Sequence, residues 1–299
     1  MESTSLTGAY EFVIRPGIET VMNVKADIFI RKPIRKLGIA PLSSMFFFGK
    51  NSPNRSESDF RLEVHDSDGL LIKDKSGELT WHPLINPQRL LINSFGGGQP
   101  AGFGLMQRDT NFDHYQDLEA RYDLRPSAWV EPEGDWGPGH IELLQIPSGN
   151  EYNDNISSYW VPEKSFKSGD SLSFAYTLSW LSAKNKRVGI ATVESTRIVK
   201  KQDSVTFMVD FFPDSKQNLL YKKDLTVDIR EFNGYKIAET QIIKNTVTKG
   251  LRLLIRVRFD KESFLQEILP KELPAVELRA FIKDKTAAVT ETWSYTYLP

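Results

Sequence analysis

Apolar and polar residues alternate with a period of two along most of this chain, the pattern of half-buried strands rather than helices. Tyr10 to Ile30 reads as a strand pair turning at Pro16-Gly17, the second strand alternating through Val21, Asn23-Val24, Ile28 and Ile30. A strand so near Met1 predicts an edge that pairs with something upstream. Met45 to Phe48 is an apolar run too short for a membrane and reads as a buried strand ending at Gly49. Lys50 to Asp59 is polar and reads as a loop. Further strands are predicted at Arg89 to Phe95, at Ile141 onward, from Ile156, and over Ser171 to Ser182. From Thr196 the composition shifts to a second set: RIVKK, SVTFMVDFF, LTVDIREF, IAETQIIKN, GLRLLIRVRF, AVELRAFIKD and AVTETWSYTYL. Punctuated by Pro213, Gly234, Gly250 and Pro274, seven short strands are the number expected of an immunoglobulin-like sandwich. Val205, Phe207, Val209 and Phe211 alternate cleanly, as do Leu253, Ile255 and Val257, so these are core residues.

The element around which the first half is arranged is Ile141 to Pro162. It starts as a strand, breaks at Pro147-Ser148-Gly149-Asn150, and returns to an apolar run at Ile156 and Tyr159-Trp160. The break carries Glu151 and Asp154. Carboxylates on a loop between rigid strands, beside an aromatic pair, offer an acid for a leaving oxygen and a platform for a sugar ring. Solvated turn acids are the plainer reading of the same residues.

Composition narrows the classes. The chain has 299 residues, enough for about two domains, and 11% aromatic residues with 16 Pro and 19 Gly point to an all-β fold. A net charge of −1 without a basic stripe argues against nucleic acid as a partner. No run reaches the ~20 apolar residues of a membrane span, and the first residues lack the pattern of a secretory signal. Without cysteine, disulfides, thiolate metal sites and Cys nucleophiles are excluded.

Two more stretches bear chemistry. Val64 to Gly69 is a strand end running into an acidic turn, His65-Asp66-Ser67-Asp68. Ser-Asp-Gly is ordinary turn chemistry, and the spacing is not that of a calcium-binding EF-hand loop. Gly102 to Pro132 crowds Gln107, Arg108, Asp109, His114, Tyr115, Gln116, Asp117, Arg121 and Tyr122 together. Guanidinium and amide donors among aromatic rings suit a polyhydroxyl ligand, and equally an exposed connection laced with salt bridges. Trp136 follows in a Gly-rich turn. Gly96-Gly97-Gly98 has no following Lys-Ser/Thr helix and is not a phosphate cradle.

The motifs PIRKLGIAPLSSMFFFG, EVHDSDGL, GFGLMQRD, YQDLEARYDLRPSAWVEP, GDWG, IPSGNEYNDNISSYWVP and the closing ETWSY occur in this order over nearly the whole chain. In them the sequence resembles the glucan biosynthesis protein G/D family (MdoG; OpgG and OpgD). The resemblance implies a large β-sandwich of galactose-mutarotase type at 1–183, a linker at 184–195 and an immunoglobulin-like domain at 196–299. It also implies a periplasmic location, a β-1,2-glucan as ligand, a membrane glucan synthase as a partner, and no cofactor or metal. By the same resemblance Asp154 is the general acid of an inverting glucan hydrolase, Asp66 its base, and Glu151 a substrate or water-network partner. Arg108, Trp136, Tyr159 and Trp160 are sugar-contact candidates. An acid needs a raised pKa, which burial or the Glu151 carboxylate is expected to supply at Asp154, while Asp66 stays ionised. A direct base would lie about 6.5 to 9.5 Å from the acid, but a longer water chain leaves that distance open. Family members carry a signal peptide and roughly 200 residues ahead of this point, about one more domain's worth of chain. The alternative expectation is a glucan-binding scaffold that cuts nothing; a mutarotase or epimerase reading rests on fold analogy alone.

Overall fold

The computed structural model describes residues 1–52, 59–182, 189–201, 203–230, 235–259, 275–285 and 287–298. In chain order the strands of the first half are β1 (Leu6–Arg15), β2 (Thr20–Ile30), β3 (Ile39–Ser44), β4 (Phe46–Phe48), β5 (Val64–His65) and β6 (Gly69–Lys73). After β7 (Leu79–Pro83) come β8 (Leu91–Gly96), β9 (Gly102–Met106), β10 (Ser127–Glu133), β11 (Gly139–Gln145), β12 (Ile156–Pro162) and β13 (Ser171–Leu181). Between β9 and β10 lie only a four-residue helix, α1 (Phe112–Tyr115), and a single 3-10 turn at Tyr122–Leu124. The fold is all-β, as the period-two pattern predicts.

The chain divides into two compact units, the first comprising Met1–Gly49, Arg61–Leu79 and Leu84–Asn185. Within it β1-β2-β13-β10-β9-β6 form one antiparallel sheet and β3-β12-β11-β8 a second. Alternation on β2 puts Val24, Ala26, Ile28 and Ile30 inside while Lys25, Asp27 and Phe29 face out. These meet Phe103, Leu105 and Val130 of their own sheet and Ile39, Ile141, Leu143, Ile156 and Trp160 of the other in one core. Each such fully buried side chain contributes about 1.5–3 kcal/mol. Gly139 is required here: a Cβ on it would sit 2.5 Å from the Trp160 ring and 2.4 Å from the Val161 carbonyl oxygen. A second, smaller core of Met45, Phe48, Val64, Tyr115 and Tyr122 underlies the loops that carry the charged residues.

The second unit contains Lys50–Phe60, Thr80–Pro83 and Lys186–Pro299. Its strands are β7 with β14 (Thr192–Lys200), β15 (Ser204–Phe212), β16 (Leu225–Arg230), β17 (Tyr235–Lys244), β18 (Leu251–Phe259), β19 (Val276–Asp284), β20 (Ala287–Ala288) and β21 (Thr292–Tyr297). β14-β15-β18-β17 form one sheet, and β7-β21-β19-β16 line up in the other. Two boundaries differ from the sequence reading. β14 begins at Thr192, so the last residues of the expected 184–195 linker belong to a strand; 184–188 lie outside the described residues. The second unit also recruits β7, which pairs in parallel with β21 through Thr80–Thr292 and Trp81–Trp293. A parallel partner so far along the chain leaves no local pattern to read. The turns expected at Gly234 and Pro274, and most of the Lys50 to Asp59 loop, also lie outside the described residues.

Candidate active site

Asp154 stands at the neck of the β11–β12 hairpin. Gln145 pairs with Ile156, and the Ile146 N–H donates to the Asn155 carbonyl at 2.9 Å, closing the neck. The buried Asn155 amide locks it: Nδ2 donates to the carbonyls of Ile146 and Phe46, both at 3.0 Å, and Oδ1 accepts from the Phe46 N–H at 2.9 Å. A buried amide satisfied on both ends has little freedom to turn. Asp154, one residue earlier, is exposed, and its carboxylate takes no hydrogen bond among the described residues.

Asp66 arrives from a segment distant in sequence but is fixed to the same support. It follows β5, which pairs with β4 through Phe46 and His65, and its N–H donates to the Met45 carbonyl at 2.9 Å. The consecutive residues Met45 and Phe46 thus hold both carboxylate-bearing segments. Burial pushes the Asp66 carboxyl above the ordinary carboxylate range; Arg125 opposes this, the Asp154 charge adds to it, and His65 opposes it. The Arg125 Nε lies 3.0 Å from Asp66 Oδ1, yet that oxygen is buried and accepts no hydrogen bond. Arg125 in turn lies over the Tyr122 ring, 5.8 Å from its centroid.

Glu151 is taken up differently. Arg61 grips it with Nη1 at 2.8 Å and Nη2 at 3.1 Å, and the Tyr122 hydroxyl donates to it at 2.7 Å. Burial and this carboxylate push the Tyr122 phenol up. Arg61 also donates to Asp117 at 2.8 Å, whose carboxylate caps the Glu119 and Ala120 N–H groups at 2.9 and 2.7 Å. Glu151 is therefore a clamped carboxylate.

Behind Asp66 lies a buried polar network. His65 is fully buried, with Nδ1 3.0 Å from Gln107 Oε1 and Nε2 2.9 Å from Glu63 Oε2. His114 Nδ1 meets Asp109 Oδ2 at 2.6 Å and lies 3.6 Å from Glu63. Glu63, His65 and Asp68, and Glu63, Asp109 and His114, each bring three ligating atoms within 4.8 Å of one another. Within each group a nitrogen already meets an oxygen at hydrogen-bond length, so a cation would have to break those bonds. A proton-sharing network fits the geometry better than a metal cage.

The other sequence-predicted residues are dispersed. Arg108 is half-buried next to Gln107, and its N–H donates to the Asp68 carboxylate, which also receives the Asp109 N–H at 2.9 Å. Trp160 is a correction: it is fully buried in the core, not a sugar platform, because its register opposite Ile141 turns it inward. Trp136 precedes β11 at the end away from Asp154, roughly 20 Å along the hairpin at ~3.4 Å per residue. It packs on Phe174 and Tyr176 and donates its indole N–H to Ala175 at 3.0 Å. Tyr159 donates to Glu142 at 2.6 Å, and burial together with that carboxylate pushes its phenol up to about 12. Lys36 bonds the same Glu142 at 2.7 and 2.9 Å; burial would raise that carboxyl, but these partners hold it low. Glu151, the carboxylate expected to act on Asp154, is itself gripped by Arg61 and Tyr122. Arg61 and Arg125 were missed, and their only signal is position: each lies close to an acidic motif.

A two-unit all-β protein with carboxylates from two loops meeting over a buried charged network is the class that fold and site define. The family described as periplasmic glucan biosynthesis protein, MdoG, matches residues 1–297. The chain is 42% identical to the glucans biosynthesis protein G of Ralstonia nicotianae, over 100% of its own length and 59% of that protein's. The glucans biosynthesis protein G of Pseudomonas aeruginosa is 40% identical over 99% of this chain and 57% of its own. The chain belongs to the MdoG periplasmic glucan biosynthesis family and spans a little under three fifths of the length of these relatives. No described helix is long and apolar enough to cross a membrane.

Proposed function

We propose that this chain hydrolyses a β-1,2-linked glucan in the periplasm with inversion, Asp154 acting as general acid and Asp66 as general base through water. One observation carries the reading: two carboxylates 88 positions apart in sequence sit on segments fastened to the consecutive residues Met45 and Phe46, Asp66 through its N–H and Asp154 through the neighbouring Asn155 amide. A raised carboxyl that is still ionised near neutrality is a stronger base than an ordinary one, which suits Asp66. Its Oδ1 is buried and accepts no hydrogen bond, which leaves acceptor capacity on this carboxylate unused. Asp154 is exposed and takes no hydrogen bond among the described residues, which leaves its carboxyl open to a sugar oxygen.

Glu151 and Arg108 are the contacts nearest the cut, while Tyr159 and Trp136 would meet only glucose units farther along the polymer. A membrane glucan synthase is the source of polymer that this reading implies.

The test is to incubate the purified chain, and its Asp154→Asn and Asp66→Asn variants, with linear β-1,2-glucan. The parent releases shorter oligosaccharides whose new reducing ends are first seen as the α-anomer. Each variant loses roughly 10²- to 10⁴-fold in rate. Glucan that is bound but left intact by the folded parent would favour the scaffold reading.

A further inference from the structure

The network behind Asp66 has an orientation that can be read from its hydrogen bonds. Gln107 Nε2 contacts two backbone carbonyls, those of His65 at 3.2 Å and Tyr122 at 3.0 Å, which can only accept. That fixes Nε2 as the donor end of the amide, so Oε1 is the acceptor that faces His65 Nδ1 at 3.0 Å. Nδ1 therefore carries a hydrogen. The other ring nitrogen, Nε2, faces the Glu63 carboxylate at 2.9 Å and the Asp68 carboxylate at 3.8 Å. Both nitrogens face acceptors.

The ring is held in plane as well. Phe46 stacks on it at 5.3 Å with 12° between the planes, and the Tyr115 ring meets it edge-on at 5.3 Å. A Cβ on Gly49 would stand 3.3 Å from the ring carbon Cδ2. The titratable and charged groups around it are Glu63, Asp68 and Asp66 from its own segment, Tyr115, Asp109 and His114 from the α1 segment, and Arg125 and Asp154 across Asp66.

We propose that His65 is a buried imidazolium, held in that state by Gln107 and Glu63, and that it is the positioning residue for Asp66. It fixes the corner from which Asp66 projects and sets a positive charge one residue away, which favours the ionised form of that carboxylate. Burial alone would drive the proton off the ring; Asp68, Glu63 and Gln107 together outweigh it and raise the His65 pKa. The same charge lowers the Asp66 pKa against burial and Asp154. The consequence for catalysis rests on the hydrolase reading above; the protonation state does not.

The experiment reads the two separately. In the unaltered chain labelled with ¹⁵N-histidine, NMR should show both His65 ring nitrogens protonated at pH 7, with loss of the proton only well above pH 6.5. A neutral ring at pH 7 would overturn the proposal whether or not the chain cuts glucan. With ¹³C-labelled aspartate, the Asp66 carboxyl of a folded His65→Gln variant should titrate about one pH unit higher than in the parent. If the chain cleaves β-1,2-glucan, the acidic limb of its pH–rate profile should move up by the same amount. An Asp66 titration unmoved in the folded variant would sink the positioning role even if glucan is cleaved. Failure of cleavage alongside a protonated His65 and a moved Asp66 would sink only the hydrolase reading.

Discussion

Asp66, in the turn after β5 of the first unit, and Asp210, on β15 of the second, are carboxylates withdrawn to different degrees from solvent, and they are treated in opposite ways. Arg252 grips Asp210 with two bonds, at 2.7 and 2.8 Å, Arg197 adds a third at 2.9 Å, and Ser195 donates at 3.2 Å. All three partners stand on β14 or β18, the strands that pair with β15, so the charge serves to tie one sheet together. Asp66 has one guanidinium nearby, one buried oxygen without a hydrogen bond, and a second carboxylate pressing on it. A saturated buried charge holds structure, whereas an undersaturated one beside a like charge is poised for chemistry. The buried histidines repeat the contrast. His65 is raised by its acidic neighbours, while burial pushes His82, in the second unit, down to about 3.

The largest effect that would break this comparison is on glucan. Asp66→Asn should slow cleavage by roughly 10²- to 10⁴-fold while leaving the fold intact, and Asp210→Asn should leave cleavage untouched; an equal loss from both would erase the distinction. Next is stability. Arg61→Met leaves Glu151 and Asp117 without their shared cation in a half-buried setting and should cost about 2 kcal/mol, read from urea denaturation of the first unit. Asp210→Asn should cost about 1–2 kcal/mol, confined to the transition of the second unit.

The smallest effect is in pH dependence, and its sign separates the histidines. His82 is lowered in the fold, so the unfolded chain binds the extra proton as pH falls from 6.5 toward 3, and stability drops over that window. His65 is raised, so its contribution is complete below 6.5 and is lost as pH climbs through its folded pKa. Both are seen as slopes on opposite sides of neutrality in thermal melts against pH. His82→Leu should flatten only the acid side, whereas His65→Gln should flatten the alkaline side and also move the Asp66 slope to higher pH. Asp66, a raised acid, adds a loss of stability as pH rises through the carboxylate range, and Asp66→Asn should remove it.

Much of the scaffold was legible because period-two alternation is a local property. β2, β15 and β18 bury the residues their alternation marks. Loop carboxylates between strands were legible for the same reason: Pro147 to Asn150 breaks a pattern that resumes at Ile156. What was not legible depended on register and on distance along the chain. Trp160 beside a polar loop looks exposed until pairing with Ile141 turns it inward. Arg61 follows a polar run and looks like loop until Glu151, 90 positions on, is found in its grip. The partnership of Gln107 with His65 spans 42 positions and crosses from one strand end to another. No window of sequence contains both.

The Asn155 lock separates two jobs within one loop. Because its amide is bolted to Ile146 and Phe46, the place where Asp154 leaves the sheet does not depend on what lies between Pro147 and Asn153. Within that tip, Ser148 is tied to Asn86 by two hydrogen bonds, at 2.8 and 2.9 Å, and Glu151 to Arg61 and Tyr122, whereas Tyr152 and Asn153 are held by turns of the loop's own. Tyr152 and Asn153, both exposed, are therefore the exchangeable positions: their side chains can be swapped, by natural drift or by grafting, to alter which polymer fits while the acid keeps its station.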